Sequence, residues 1–182
     1  PAVRFDHPSS GQYDIWVGTF GEATAPAVLH VSELSAGGPG GGQSGSADPS
    51  LDPTYGAVSL HSGFHPDPHT HAITAGGDIA ASSVNQQCSG YIARAPDYRV
   101  NWTAGSGSLP LIFSVASSAD TTLVINDAQG NWLCDDDGGV NGMNPAITIQ
   151  HPASGQYDVW VGSYAQGQNP PSTLNVSELH SQ

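Results

Sequence analysis

The chain has 182 residues, of which 16 are acidic and only three are basic: Arg4, Arg94 and Arg99. A formal charge of −13 excludes the cationic stripe with which a nucleic-acid binder displaces counterions, and it opposes association with an anionic membrane surface. No stretch of 18 apolar residues is present to insert in a membrane, and an apolar content of 37% suffices for one full core plus an appendage. The expectation is a mature, soluble chain.

The first element in chain order is one half of an internal repeat. Residues 1–20, PAVRFDHPSSGQYDIWVGTF, match 145–164, PAITIQHPASGQYDVWVGSY, and LHVSEL at 29–34 answers LNVSEL at 174–179. Residues 1–34 therefore read as a partial copy of the closing strands of a β-unit. Residues 35–55 begin with a Gly/Ser-rich tract that cannot bury surface, and they read as a flexible linker. Residues 56–182 read as the complete domain.

Within that domain, short runs rich in Val, Ile, Thr, Tyr and Trp are separated by glycine and proline, with no sustained helical periodicity. Strands are expected near 57–60, 70–75, 91–93, 97–103, 110–116, 121–126 with a continuation to 134, 146–150, 156–163 and 173–178. The fold class is all-β, an antiparallel, jelly-roll-like sandwich. Period-two alternation in GQYDVWVGSY puts Tyr157, Val159 and Val161 on the core face and Gln156, Asp158 and Trp160 on the other. The first copy divides likewise, with Asp14 and Trp16 facing outward. Such tryptophans either cover a second packed layer or anchor a neighbouring subunit or a sugar ring. Asp14, Trp16, Asp158 and Trp160 are taken as interface candidates for contact between protein copies.

Cys88 and Cys134 are the only cysteines and lack CxxC spacing, which points to one structural disulfide and an oxidising compartment. The sequence CDDDGGVNGMN at 134–144 concentrates carboxylates in a glycine-rich loop. Three adjacent carboxylates repel one another unless a cation or solvent intervenes, and an Asp/Asn/Gly loop supplies the oxygens that calcium takes. Asp135, Asp136, Asp137, Asn141 and Asn144 are the candidate ligands, with Asp120 and Asp127 at the ends of the adjoining strand; a solvated acidic turn is the alternative. His61, His65, His69 and His71 in HSGFHPDPHTH invite a transition-metal reading, but Pro66 and Pro68 fit a structural corner better. No Gly-x-Ser-x-Gly elbow, His-Glu-x-x-His or Walker-type loop is present, and the chain has no lysine. An enzyme is not expected.

The run DTTLVINDAQGNWLCDDDGG at 120–139, followed by 145–164 and LNVSEL, resembles the bacterial pre-peptidase C-terminal domain family. The carrying residues are Asp120, Leu123 and Ile125 on one strand, and Gly155, Tyr157, Val159 and Val161 on another. Thr122 stands where the family often has a second acidic residue. The resemblance covers about 56–180, with 1–34 as a partial copy, and implies a small secreted β-sandwich of a kind found beside proteases, some members binding calcium.

Together these readings lead to an extracellular, calcium-stabilised structural or adhesive protein. Three sandwich strands alone would expose an apolar face and open edges, so residues 1–34 call for completion from elsewhere. Self-association by strand addition, or tandem beads forming a filament or matrix, is expected. A polymer-binding accessory module of a secreted hydrolase, directed at collagen, chitin or another polysaccharide, is the alternative.

Overall fold

The computed structural model describes residues 45–107 and 109–182. The candidates Asp14 and Trp16, and the partial copy at 1–34, lie outside the described residues. Eleven strands follow in chain order: β1 (Ala57–His61), β2 (His69–Thr74), β3 (Ile79–Ala80), β4 (Tyr91–Ile92), β5 (Tyr98–Thr103), β6 (Leu111–Ser117), β7 (Thr121–Asn126), β8 (Trp132–Asp135), β9 (Ala146–Ile149), β10 (Gly155–Ser163) and β11 (Pro171–Ser177).

The strands form two sheets. In the larger, β10 pairs antiparallel with β5 over Gly155–Val159, with β7 over Asp158–Ser163 and with β4 at Ser163. β8 extends the sheet from β7, β3 from β4, and β1 from β5, the last in parallel register. The smaller sheet runs β2-β11-β6-β9, antiparallel throughout. All-β sandwich architecture is what the strand pattern predicts, and the parallel β1–β5 pair departs from a purely antiparallel one. Such a pair needs a crossover, and the long excursion through β2, β3 and β4 supplies it.

Between the sheets lies the main core, which includes Val100, Trp102, Phe113, Val115, Leu123, Ile125, Leu174 and Val176. Tyr157, Val159 and Val161 belong to it, as the pleat requires. Each alternates along β10 with a residue that faces away, and those residues are buried too: Asp158 and Trp160 are 2% and 0% exposed. A second apolar cluster covers the outer face of the larger sheet, built on Val124 and Trp160 and capped by Ala47, Ile79, Ala81, Cys88 and Ile92. β10 is thus buried on both faces along most of its length. Gly162 marks how close the cover comes, because a Cβ there would collide with the Tyr91 carbonyl oxygen and with the Thr122 and Ile92 side chains.

The tail of the expected linker is also part of this packing. Ala47 is buried, the Asp48 N–H donates to the Arg94 carbonyl at 2.9 Å, and Thr54 and Tyr55 donate to the carbonyls of Pro96 and Asp97. Residues 45–55 lack the glycine density of the preceding tract, and their carbonyls become acceptors for Arg99. The described strands belong to one unit spanning Gln43–Gln182.

Candidate functional site

The acidic loop leaves β8 at Asp135, which stands opposite Leu123 in the β7–β8 pairing, and returns to β9 at Ala146. Asp135 does not point into solvent. Its Oδ2 accepts the backbone N–H of Gly138 at 2.7 Å and of Ala146 at 2.8 Å, tying both ends of the loop together. Asn144 is buried, accepts from the Thr121 hydroxyl at 2.9 Å and donates to the Ser117 carbonyl and to Asn141 Oδ1. Asn141 Oδ1 also accepts the Met143 N–H. These three side chains close the loop by hydrogen bonds within the protein.

Asp127 lies elsewhere. It begins the β7–β8 turn, where its carboxylate accepts the N–H groups of Gln129 and Asn131 and the Asn131 side-chain amide. Partial burial alone would raise its pKa, but these hydrogen bonds outweigh it and hold the carboxyl below the usual value. Asp120 stands at the other end of β7, about 23 Å away at strand spacing, so the two cannot share one ion. Placing Asp127 with the acidic loop is therefore corrected by the length of the strand between them.

What remains is Asp120 facing Asp137 and Asp136. Burial first, and then the charges of Asp137 and Asp136, raise the Asp120 pKa, and its buried Oδ1 has no hydrogen-bond partner. A cation would satisfy that atom and relieve the repulsion. Yet among the described residues no group of three or more His, Cys, Asp or Glu side chains is arranged to hold a metal ion. The seven expected ligands do not form one site, since β7 separates Asp127 from the rest.

Asp158 and Trp160 are likewise corrected as surface anchors. The pleat does send them to the outer face, but residues 45–55 and the stretch around β3 and β4 cover that face. Trp160 packs beside Trp132, ring centroids 5.1 Å apart, under the Cys88–Cys134 disulfide, whose Cα atoms are 5.5 Å apart. Asp158 Oδ1 accepts from Arg99 Nε at 2.6 Å, and Arg99 Nη2 donates to the carbonyls of Pro49 and Leu51. Arg99 was not singled out by its neighbours in sequence; its rarity in so acidic a chain was the available signal.

Two further buried carboxylates escape any motif. Asp97 accepts the Val161 N–H at 2.7 Å, and burial pushes its pKa up to about 7, the hydrogen bond pulling the other way. Glu178 accepts from the Ser62 hydroxyl and the Gly63 N–H, bracing the turn after β1, and its own N–H donates to Asp67. His69 and His71 stack on Tyr98 from β2, with His69 Nε2 3.1 Å from the Tyr98 hydroxyl, so they serve as packing groups.

A hollow at one end of the sandwich is lined by Ser62, Trp102, Leu109, Gln150, His151 and Pro152 among others, and His151 is the only titratable side chain among the described lining residues. It offers an amide and an imidazole over the buried Trp102, without a second acid or base for proton transfer.

The chain matches no protein-family model and no curated protein. One solved structure it resembles is PliG of Aeromonas hydrophila, a periplasmic lysozyme inhibitor of g-type lysozyme, at 14% identity over 70% of this chain and 98% of that one, with a TM-score of 0.32. Likeness at that level assigns no function. The resemblance to pre-peptidase C-terminal domains accordingly stands at the coarser level of a disulfide-bonded β-sandwich.

Proposed function

We propose that this chain is a non-catalytic, extracytoplasmic β-sandwich module that works by joining like units into an extended structural or adhesive array. One observation carries the reading. The segment that recurs in sequence at 1–34 corresponds to β9, β10 and β11, and β10 and β11 are interior strands of the two sheets. A duplicated loop could be decoration; a duplicated pair of interior strands implies a second sandwich. The Cys88–Cys134 bond supports a location outside the reducing cytosol. Calcium enters the reading as a counter-ion that would relieve the mutual repulsion of Asp120, Asp136 and Asp137 without being caged by them.

Head-to-tail joining that does not close yields a filament. Electron micrographs and sedimentation of native material are expected to show linear strings of beads, and monodisperse single beads at all concentrations would overturn the reading.

A second reading, a polymer-binding accessory module of a secreted hydrolase, is favoured by the hollow where Gln150 and His151 are exposed, an amide and an imidazole that suit hydrogen bonding to a polysaccharide or an extended peptide. Co-sedimentation with insoluble chitin or collagen, lost on His151→Ala together with Gln150→Ala, would select it.

A further inference from the structure

Four positions in the closing strands β10 and β11 depend on contacts with the opening part of the sandwich, residues 45–142, and Asp158 alone among them also has a polar partner on its own strand, Gln156. Asp158 is paired with Arg99. Trp160 is fully enclosed beside Trp132 and the disulfide. Gly162 leaves no room for a Cβ against Tyr91, Ile92 and Thr122. Glu178 accepts from Ser62 and Gly63. The repeat carries the same residue at every one of these positions: Asp14, Trp16, Gly18 and Glu33. A carboxylate and a tryptophan destined for burial, and a glycine with no side chain to contribute, gain nothing in an isolated segment.

Among its described residues the chain leaves no free complement for them. Its opening part already holds its own closing strands, through β5–β10, β7–β10 and β6–β11. It has three basic residues in all. Arg99 is engaged by Asp158, Arg94 lies 4.0 Å from Asp48, and Arg4 stands at the position of Thr148, on a strand of the smaller sheet, whereas Asp158 is on the larger.

We propose that residues 1–34 are the closing strands of a second sandwich, whose opening strands come from another polypeptide segment of the same kind as residues 45–142. That partner supplies an arginine at the Arg99 position for Asp14, a disulfide-capped aromatic layer for Trp16, two strands closing on Gly18, and a turn with free donors for Glu33. The proposal rests on the array reading above and names the joint by which one bead would be completed.

The test adds the missing part to the full chain: a copy of residues 45–144 is fused directly ahead of Pro1, so that it runs into the repeat as 45–144 runs into Pro145. Calorimetry and thiol counting read the outcome. The expected result is a roughly twofold rise in unfolding heat per mole over the parent chain and a second protected disulfide. Gly18→Val in the fused chain should abolish the added heat and leave the melting of the 43–182 unit unchanged. Unfolding heat equal to that of the parent chain, or added heat that survives Gly18→Val, would overturn the proposal. If native material forms strings of beads while the fused chain gains no heat, the joint is wrong and the array reading stands; if the fused chain gains its second unit while native material shows only single beads, the reverse holds.

Discussion

Arg99 and Asp158 face each other across the β5–β10 pairing on the outer side of the larger sheet, their 2.6 Å contact enclosed by the chain at Pro49–Leu51, whose carbonyls occupy the other arm of the guanidinium. One ion pair thereby joins two strands to the segment entering the domain.

Removing one partner should leave an uncompensated buried charge. Asp158→Ala is expected to cost about 3 kcal/mol in chemical denaturation and to make the chain near residue 51 sensitive to protease, whereas an exposed pair would contribute under about 1 kcal/mol. An unchanged denaturation midpoint would show that the enclosure is incomplete.

Trp160→Ala should destabilise the domain by roughly 3–5 kcal/mol, through lost burial and the cavity beside Trp132. Thermal unfolding measures this directly. Stability equal to the parent would restore Trp160 to the surface and to the interface candidates.

Asp97 sets a pH dependence whose sign is opposite to that of paired carboxylates. Its folded pKa of about 7 lies above the unfolded value of 3.8, so the native state binds the extra proton between those values. Its contribution is complete below pH 3.8 and is lost as pH rises through 7. Stability of the parent should fall by a few kcal/mol from pH 5 to pH 8, and Asp97→Asn should flatten that slope. Parallel curves for the two proteins would refute the assignment.

Calcium, held as proposed, should raise the melting temperature by several degrees at millimolar concentration, since tenfold excess over the dissociation constant adds roughly 1.4 kcal/mol. The Asp136→Asn, Asp137→Asn double variant should lose the response. Asp127→Asn should keep it, because Asp127 serves the far turn. Identical melting of the parent with chelator and with excess calcium would remove the ion from the account.

The sequence by itself determined the strands and their core face. Alternation in GQYDVWVGSY puts Tyr157, Val159 and Val161 inside because a strand has only two faces, and nine of the expected strand regions correspond to β1, β2 and β4–β11, the 121–134 region resolving into β7 and β8. It also paired Cys88 with Cys134, having no other cysteine to offer. Only the tertiary structure decided what covers the second face. Trp160 and Asp158 read as surface because periodicity reports which side a residue takes, and says nothing of whether a distant segment, here 45–55 and 79–93, folds over that side. The acidic loop divides for the same reason. Composition groups seven oxygen-bearing residues, while the length of β7 carries Asp127 to the opposite end, and the backbone N–H groups of Gly138 and Ala146 engage Asp135 Oδ2.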